Sequence, residues 1–150
     1  MDVLTPEQRQ RCMARIKARN TTPEVLLRKA LFARGLRYRL HQRRLPGTPD
    51  LVFPKFHAVV FIHGCFWHGH GCHLFVVPAT NTDFWINKIG VNRSRDEDAR
   101  RTLGVLHWRV LTVWECALRG RERLPLDVLV AKIERWLDGR SPLGEIPIKA

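Results

Sequence analysis

The chain has 150 residues, 45% of them hydrophobic, which is enough for one domain with a packed core and short for two. Lysine and arginine number 26 against 14 carboxylates, a formal net charge of +12, so an anionic partner is expected, nucleic acid foremost, against the blander reading of a basic surface kept for solubility. No stretch reaches the ~20 apolar residues of a membrane span, and the N-terminal MDVLTPEQRQ lacks the apolar core of a secretion signal, so a soluble cytoplasmic protein is expected.

Thr5-Pro6-Glu7-Gln8 combines a capping residue, proline at the first helical position and glutamine three residues after the cap, which predicts a helix to about Ala18. The same grammar recurs at Thr22-Pro23-Glu24, with apolar residues at helical spacing as far as Leu31 and Gly35 as the stop. Glu24 sits in the first turn, where a carboxylate also simply complements the helix dipole. Leu36, Tyr38 and Leu40 alternate with arginines as a half-buried strand. A turn at 45–49 leads to Asp50 at the head of Leu51-Val52-Phe53; Pro54-Lys55 reads as a tight reversal, and Ala58 to Ile62 as a central strand apolar throughout. Thr82-Asp83 can cap a helix from Phe84 towards Leu103, Trp108 to Trp114 reads as a buried strand, and Leu126 to Leu137 as a closing helix after Pro125. The sum is a mixed α/β domain over residues 1–140, with 141–150 as a loosely ordered tail.

Cysteines stand at positions 12, 65, 72 and 116, and a reducing compartment keeps them as thiols. Cys65, His70 and Cys72 fall within eight residues, and Cys116 follows the strand ending at Trp114. Three thiolates and one imidazole make the closed tetrahedral set of a structural zinc, although buried thiols also pack as small hydrophobes, the reading that suits Cys12. Water-activating zinc motifs are missing, so this metal would hold shape rather than do chemistry. His63 and His68 fall outside the tetrahedron at the end of the central strand, where a proton acceptor with near-neutral pKa is useful and where a plain surface histidine is also ordinary.

Asp50 follows Pro49 at a strand start. A Pro-Asp on one hairpin strand, an acidic residue on a preceding helix and a polar group on the next strand is an arrangement that holds Mg²⁺ against a phosphate, although Pro-Asp alone is a common turn dipeptide. Four longer stretches, LPGTPDLVF, FIHGCFWHGHGC, VPATNTDFWINKIGVN and WRVLTVWECALRGRE, together resemble the very short patch repair (Vsr) endonucleases, with few gaps from about Arg11 to Trp136.

That resemblance implies a restriction-endonuclease-like fold with a structural zinc. It further implies a strand-specific nickase on double-stranded DNA, incising 5′ to the thymine of a T:G mismatch left by deamination of 5-methylcytosine, in the site of a cognate cytosine-5 DNA methyltransferase. By residue, it implies Asp50 as Mg²⁺ ligand with the Ile62 carbonyl as a second contact, His68 as the base, Asp96 orienting it, and His63 and Glu24 in support. Cys65, His70, Cys72 and Cys116 would hold zinc, and Phe66, Trp67 and Trp85 would enter the base stack beside the mismatch, whereas Trp108, Trp114 and Trp136 read as core. Lys88, Arg93, Arg119 and Arg121 are candidates for phosphate contacts. The (D/E)xK half of the common nuclease pattern is missing from Phe61-Ile62-His63, a histidine taking the lysine's part in this family. An asymmetric mismatch needs no two-fold protein, so a monomer is expected. The competing readings are a restriction-type endonuclease cutting both strands and a zinc-stabilised DNA-binding module without catalysis.

Overall fold

In the computed structural model, which describes residues 21–148, five strands form one mixed sheet in the order β1-β2-β3-β4-β5. In chain order the elements are α1 (Thr22–Ala33), β1 (Arg39–Leu40), β2 (Leu51–Phe53), a 3-10 turn (Pro54–Phe56), β3 (Ala58–His63), α2 (Thr82–Val105), β4 (Arg109–Trp114), the short α3 (Glu115–Leu118), α4 (Leu126–Asp138) and β5 (Leu143–Ile146). The helix expected from Thr5 and the packing of Cys12 lie outside the described residues.

Strand alternation sorts the core into two layers. From β3, Ala58 and Val60 join Leu51, Phe53, Leu111 and Val113 against Leu27 and Leu31 of α1 and Leu129, Ile133 and Leu137 of α4. The intervening Val59 and Phe61 join Val52 and Val110 against Leu103 of α2. With helices on both faces, β3 is apolar on both sides, and it is the sheet's central strand.

The β3–β4 pair is parallel and pairs His63 with Trp114, so Cys65 and Cys116 both leave the same end of the sheet two residues later. Antiparallel pairing of β1 with β2 places Leu40 opposite Leu51, so His41 and Asp50 are the next facing positions. The His41 backbone N–H donates to the Asp50 carbonyl at 3.1 Å, extending the ladder by that step.

Several local expectations are corrected. The Thr21 hydroxyl, rather than Thr22, caps α1, accepting from the Glu24 N–H at 3.4 Å. The strand expected across 36–40 is only Arg39–Leu40, because β2 offers it so few partners. Pro54-Lys55 opens a 3-10 turn closed by His57 at φ 50. Helix α2 starts at Thr82, whose hydroxyl donates to Pro78 O at 2.9 Å instead of capping.

The largest correction is at the C-terminus, where Leu143–Ile146 pairs in parallel with β4 instead of forming a loose tail. Tertiary contacts recruit it. Arg109 stacks on Trp136 at 4.3 Å and donates to the carbonyls of Trp136, Leu137 and Ser141, tying the end of α4 to the start of β5. A Cβ on Gly144 would stand 2.5 Å from the Trp136 indole nitrogen, so this approach requires glycine.

Candidate active site and metal-binding clusters

Among the described residues, three groups of side chains that could hold a metal ion gather at the His63 end of the sheet or on the elements beside it. The first is carried by the loop after β3. His70 N–H donates to Cys65 O at 2.9 Å and Cys72 N–H to His70 O at 2.8 Å, a tight winding that brings Cys65, His70 and Cys72 round to Cys116. The Cys65 and Cys116 Sγ atoms each lie 3.6 Å from His70 Nδ1, and the four donor atoms are all within 4.8 Å of one another. A tetrahedral ion with bonds of about 2.0–2.3 Å holds its ligands roughly 3.3–3.8 Å apart, so the set could hold one metal ion. Burial pushes the Cys116 thiol up to about 11 and raises the Cys65 thiol as well. A bound cation reverses that direction, since a coordinating thiol is deprotonated. His70 stacks on Trp114 at 4.2 Å, and Cys65 N–H donates to Glu115 Oε1 at 3.1 Å, locking the cluster to the end of β4.

The second group is His63, His68 and Asp96. His63 ends β3 on the face covered by α2, where Ile89, Ala99 and Leu103 are buried. Asn92 and Asp96 fall on the same stripe, and both use it for polar contacts with the loop. Asn92 Nδ2 donates to Trp67 O at 2.9 Å, and Asp96 Oδ2 lies 2.5 Å from His68 Nδ1. Gly69 lies close to the helix at φ +64, where a Cβ would meet Ile89 Cγ2 at 2.8 Å. The His63 and His68 rings stack at 3.8 Å with 6° between their planes, and His63 Nε2 is 4.0 Å from Asp96 Oδ1. Burial, reinforced by His68, holds His63 down to about 3, so it is a neutral ring at physiological pH.

The third group is Glu24, His41 and Asp50, contributed by α1, the residue after β1 and the residue before β2. Asp50 Oδ2 accepts the Ile62 backbone N–H at 2.6 Å, which ties this group to the residue preceding His63. Burial pushes Asp50 up to about 7 against the opposing effect of that hydrogen bond, and the neighbouring Glu24 adds to the rise. His41 Nε2 stands 3.6 Å from Glu24 Oε1 and Nδ1 3.7 Å from Asp50 Oδ1. His41 carries no local signal in the sequence; only the pairing of β1 with β2, which puts it opposite Asp50, reveals it.

The aromatic residues cluster as well. Phe66, Trp67 and Trp85 meet edge to face at centroid distances of 5.1, 5.4 and 5.7 Å, half-buried, with Phe84 exposed beside Trp85. Trp114 is buried in the core as expected, while Trp108 and Trp136 are half-buried against it. Lys88, Arg93, Arg119 and Arg121 are exposed, and Arg119 is paired with Glu115. No described helix is long and apolar enough to cross a membrane.

These features define an α/β protein in which two carboxylate–imidazole groups, suited to hydrolytic chemistry, stand beside a thiol-rich group suited to a structural metal. Comparison with known proteins is more particular. The family model for "DNA mismatch endonuclease Vsr" matches residues 1–74. The chain is 46% identical over 145 residues to the DNA mismatch endonuclease Vsr of Escherichia coli, covering 97% of this chain and 93% of that protein. It is 44% identical over 137 residues to the type II nicking enzyme V.XorIIP of Xanthomonas oryzae (91% and 97% covered), and 46% over 127 residues to V.NmeAIP of Neisseria meningitidis (82% and 91%). This chain belongs to the Vsr family of DNA mismatch endonucleases and is a nuclease.

Proposed function

We propose that this nuclease is a Mg²⁺-dependent, strand-specific nicking endonuclease that acts 5′ to the thymine of T:G mismatches arising from 5-methylcytosine deamination, on a restriction-endonuclease-like domain. The observation that carries it is the juxtaposition of the His68–Asp96 pair, stacked on His63, with Asp50 through the Ile62–His63 step of β3. Similarity to a relative named a mismatch endonuclease and to others named nicking enzymes supports both halves of the reading.

In this reading Asp96 accepts the Nδ1 proton of His68, leaving Nε2 as the lone pair that takes a proton from the attacking water. His63, neutral and stacked, fixes the plane of the His68 ring without competing for that proton. Asp50 and Glu24 supply hard oxygen ligands. Because the N–H and C=O of one strand residue leave on the same edge, the Ile62 carbonyl faces the side that its N–H shares with Asp50. The half-buried Asp50 suits a cation, which favours its ionised form. Mg²⁺, when bound, would stabilise the charge that builds on the phosphate. The donor set of Cys65, His70, Cys72 and Cys116 suits zinc as a structural ion.

Phe66, Trp67 and Trp85 form a wedge that discriminates by deformability, since unstacking costs a few kcal/mol and less at a mispair. The exposed basic residues position the duplex. A cytosine-5 methyltransferase is the functional partner, and a monomer suffices for an asymmetric lesion.

The test is a denaturing-gel assay with Mg²⁺ on end-labelled duplexes carrying T:G or T:A at one position of a methyltransferase site, with Asp50→Ala beside the wild type. A single nick 5′ to the mispaired thymine, absent from the T:A duplex and from the variant, is expected. Cleavage of both strands of the paired duplex would instead make the protein a restriction-type enzyme. Tight binding with no cleavage would make it a DNA-binding module.

A further inference from the structure

The third cluster contains one residue that the proposed reaction does not use. His41 leaves β1 at φ 45, an uncommon conformation for a residue with a side chain, and its backbone N–H is fixed on the Asp50 carbonyl. Its ring is 12% exposed, between Glu24 at 4% and Asp50 at 14%. The separations of 3.6 and 3.7 Å from the two carboxylates exceed a hydrogen bond. They run from different ring nitrogens, only one of which can meet a given ion, and each comes near the roughly 3.0–3.4 Å that separates nitrogen and oxygen ligands sharing one ion with bonds of about 2.1 Å. All three residues offer donor atoms within 4.8 Å of one another.

We propose that His41 is a ligand residue of the divalent-cation site, giving Glu24 and Asp50 an imidazole nitrogen and shifting the site's preference from Mg²⁺ towards Mn²⁺ and Co²⁺. Carboxylates alone suit Mg²⁺, which keeps its waters and takes oxygen ligands. Imidazole nitrogen suits the first-row transition ions, whose affinity for nitrogen-containing sites rises from Mn²⁺ to Co²⁺. The inference rests on the proposed divalent site and adds a metal preference to it.

The experiment measures Mn²⁺ binding to the zinc-loaded full chain by the electron paramagnetic resonance of free Mn²⁺, with Mg²⁺ affinity obtained by competition. Wild type, His41→Asn, His41→Gln and Asp50→Ala are compared; asparagine tolerates the left-handed backbone at position 41. Asp50→Ala should abolish Mn²⁺ binding. The His41 variants should bind Mn²⁺ at least about tenfold more weakly, with Mg²⁺ affinity changed less than threefold. The Mn²⁺-loaded wild type should also show nitrogen modulation of its echo signal, lost in whichever of the His41 variants keeps its zinc and its fold.

Loss of binding in Asp50→Ala with wild-type affinity and modulation in the His41 variants would overturn this inference and leave the divalent site standing. Equal weakening of Mn²⁺ and Mg²⁺, or no nitrogen modulation in the wild type, would make His41 a positioning residue and overturn it too. Undiminished Mn²⁺ binding in Asp50→Ala would remove the divalent site itself, and the proposed function with it.

Discussion

Asp96→Asn isolates the charge behind the proposed base. The substitution keeps the size of the side chain but removes the carboxylate 2.5 Å from His68 Nδ1. With charge centres about 4 Å apart and an effective dielectric near 20, an imidazolium–carboxylate pair is worth about 4 kcal/mol. Each 1.36 kcal/mol is a factor of about ten in rate. Asp96 and His68 are 16% and 23% exposed, so water screens part of that interaction, and the expected loss in the chemical step is about 10²- to 10³-fold. An amide that turns its NH₂ towards Nδ1 would move the ring proton to Nε2 and deepen the loss. The assay is single-turnover nicking of a T:G duplex at saturating enzyme, with duplex affinity measured alongside. A rate within fivefold of wild type would refute Asp96 as the charge behind His68. A loss carried wholly by weaker DNA binding would refute it equally.

Three further outcomes are expected. Asp50 is raised to about 7 when folded, against about 3.9 unfolded. Between those values the unfolded state releases the proton that the fold retains, so stability falls as pH rises from about 4 to 7. Asp50→Asn should therefore melt higher than wild type at pH 8, with the gap closing towards pH 4, when both retain zinc and no other divalent cation is added. His63, held down to about 3, acts oppositely: its contribution is present above about 6.5 and is lost as pH falls, equally in both proteins. Cys116→Ser should lower both bound zinc, measured by a chromogenic chelator, and the melting temperature, because metal binding contributes folding free energy; normal zinc content and melting would remove Cys116 from the site. Trp67→Ala should reduce the preference for T:G over T:A duplexes about tenfold in anisotropy titrations, corresponding to the low end of base-stacking energies; an unchanged preference would place discrimination elsewhere.

What could be read in advance divides by range. The helices at 22–33 and 126–138 and the strands at 58–63 and 109–114 carry their signals locally, in a capping threonine, proline near a helix start or a continuous apolar run. Cys65, His70 and Cys72 announced themselves by spacing, and Cys116 joins them because a parallel register brings two strand ends together. His41 had no such signal, since its partner Asp50 is set by pairing across the connection of residues 41–50. Nor did the strand at Leu143–Ile146, which lacks a β-branched run and owes its place to Arg109 and Trp136. Asp96 sits on a long helix with few buried residues, where one aspartate among many charges looks like solvated surface until the β3 loop is laid against it.

The loop after β3 gives the proposed structural metal a part to play in a hydrolytic enzyme of this design. His68 lies between the prospective zinc ligands Cys65 and His70, and its own N–H donates to Gly64 O at 3.2 Å. Asn92 holds the Trp67 carbonyl, Gly69 packs tightly against Ile89, and Asp96 takes the ring itself. The proposed base is thus clamped on one side by helix α2 and on the other by the Cys65–His70–Cys72–Cys116 cluster. A base loses much of its effect when displaced by an ångström, and a loop of eighteen residues between a strand and a helix cannot hold that tolerance by backbone hydrogen bonds alone. The same loop carries Phe66 and Trp67, so on the proposed reading one segment would set both the wedge and the base, and with them the spacing between mismatch and incision.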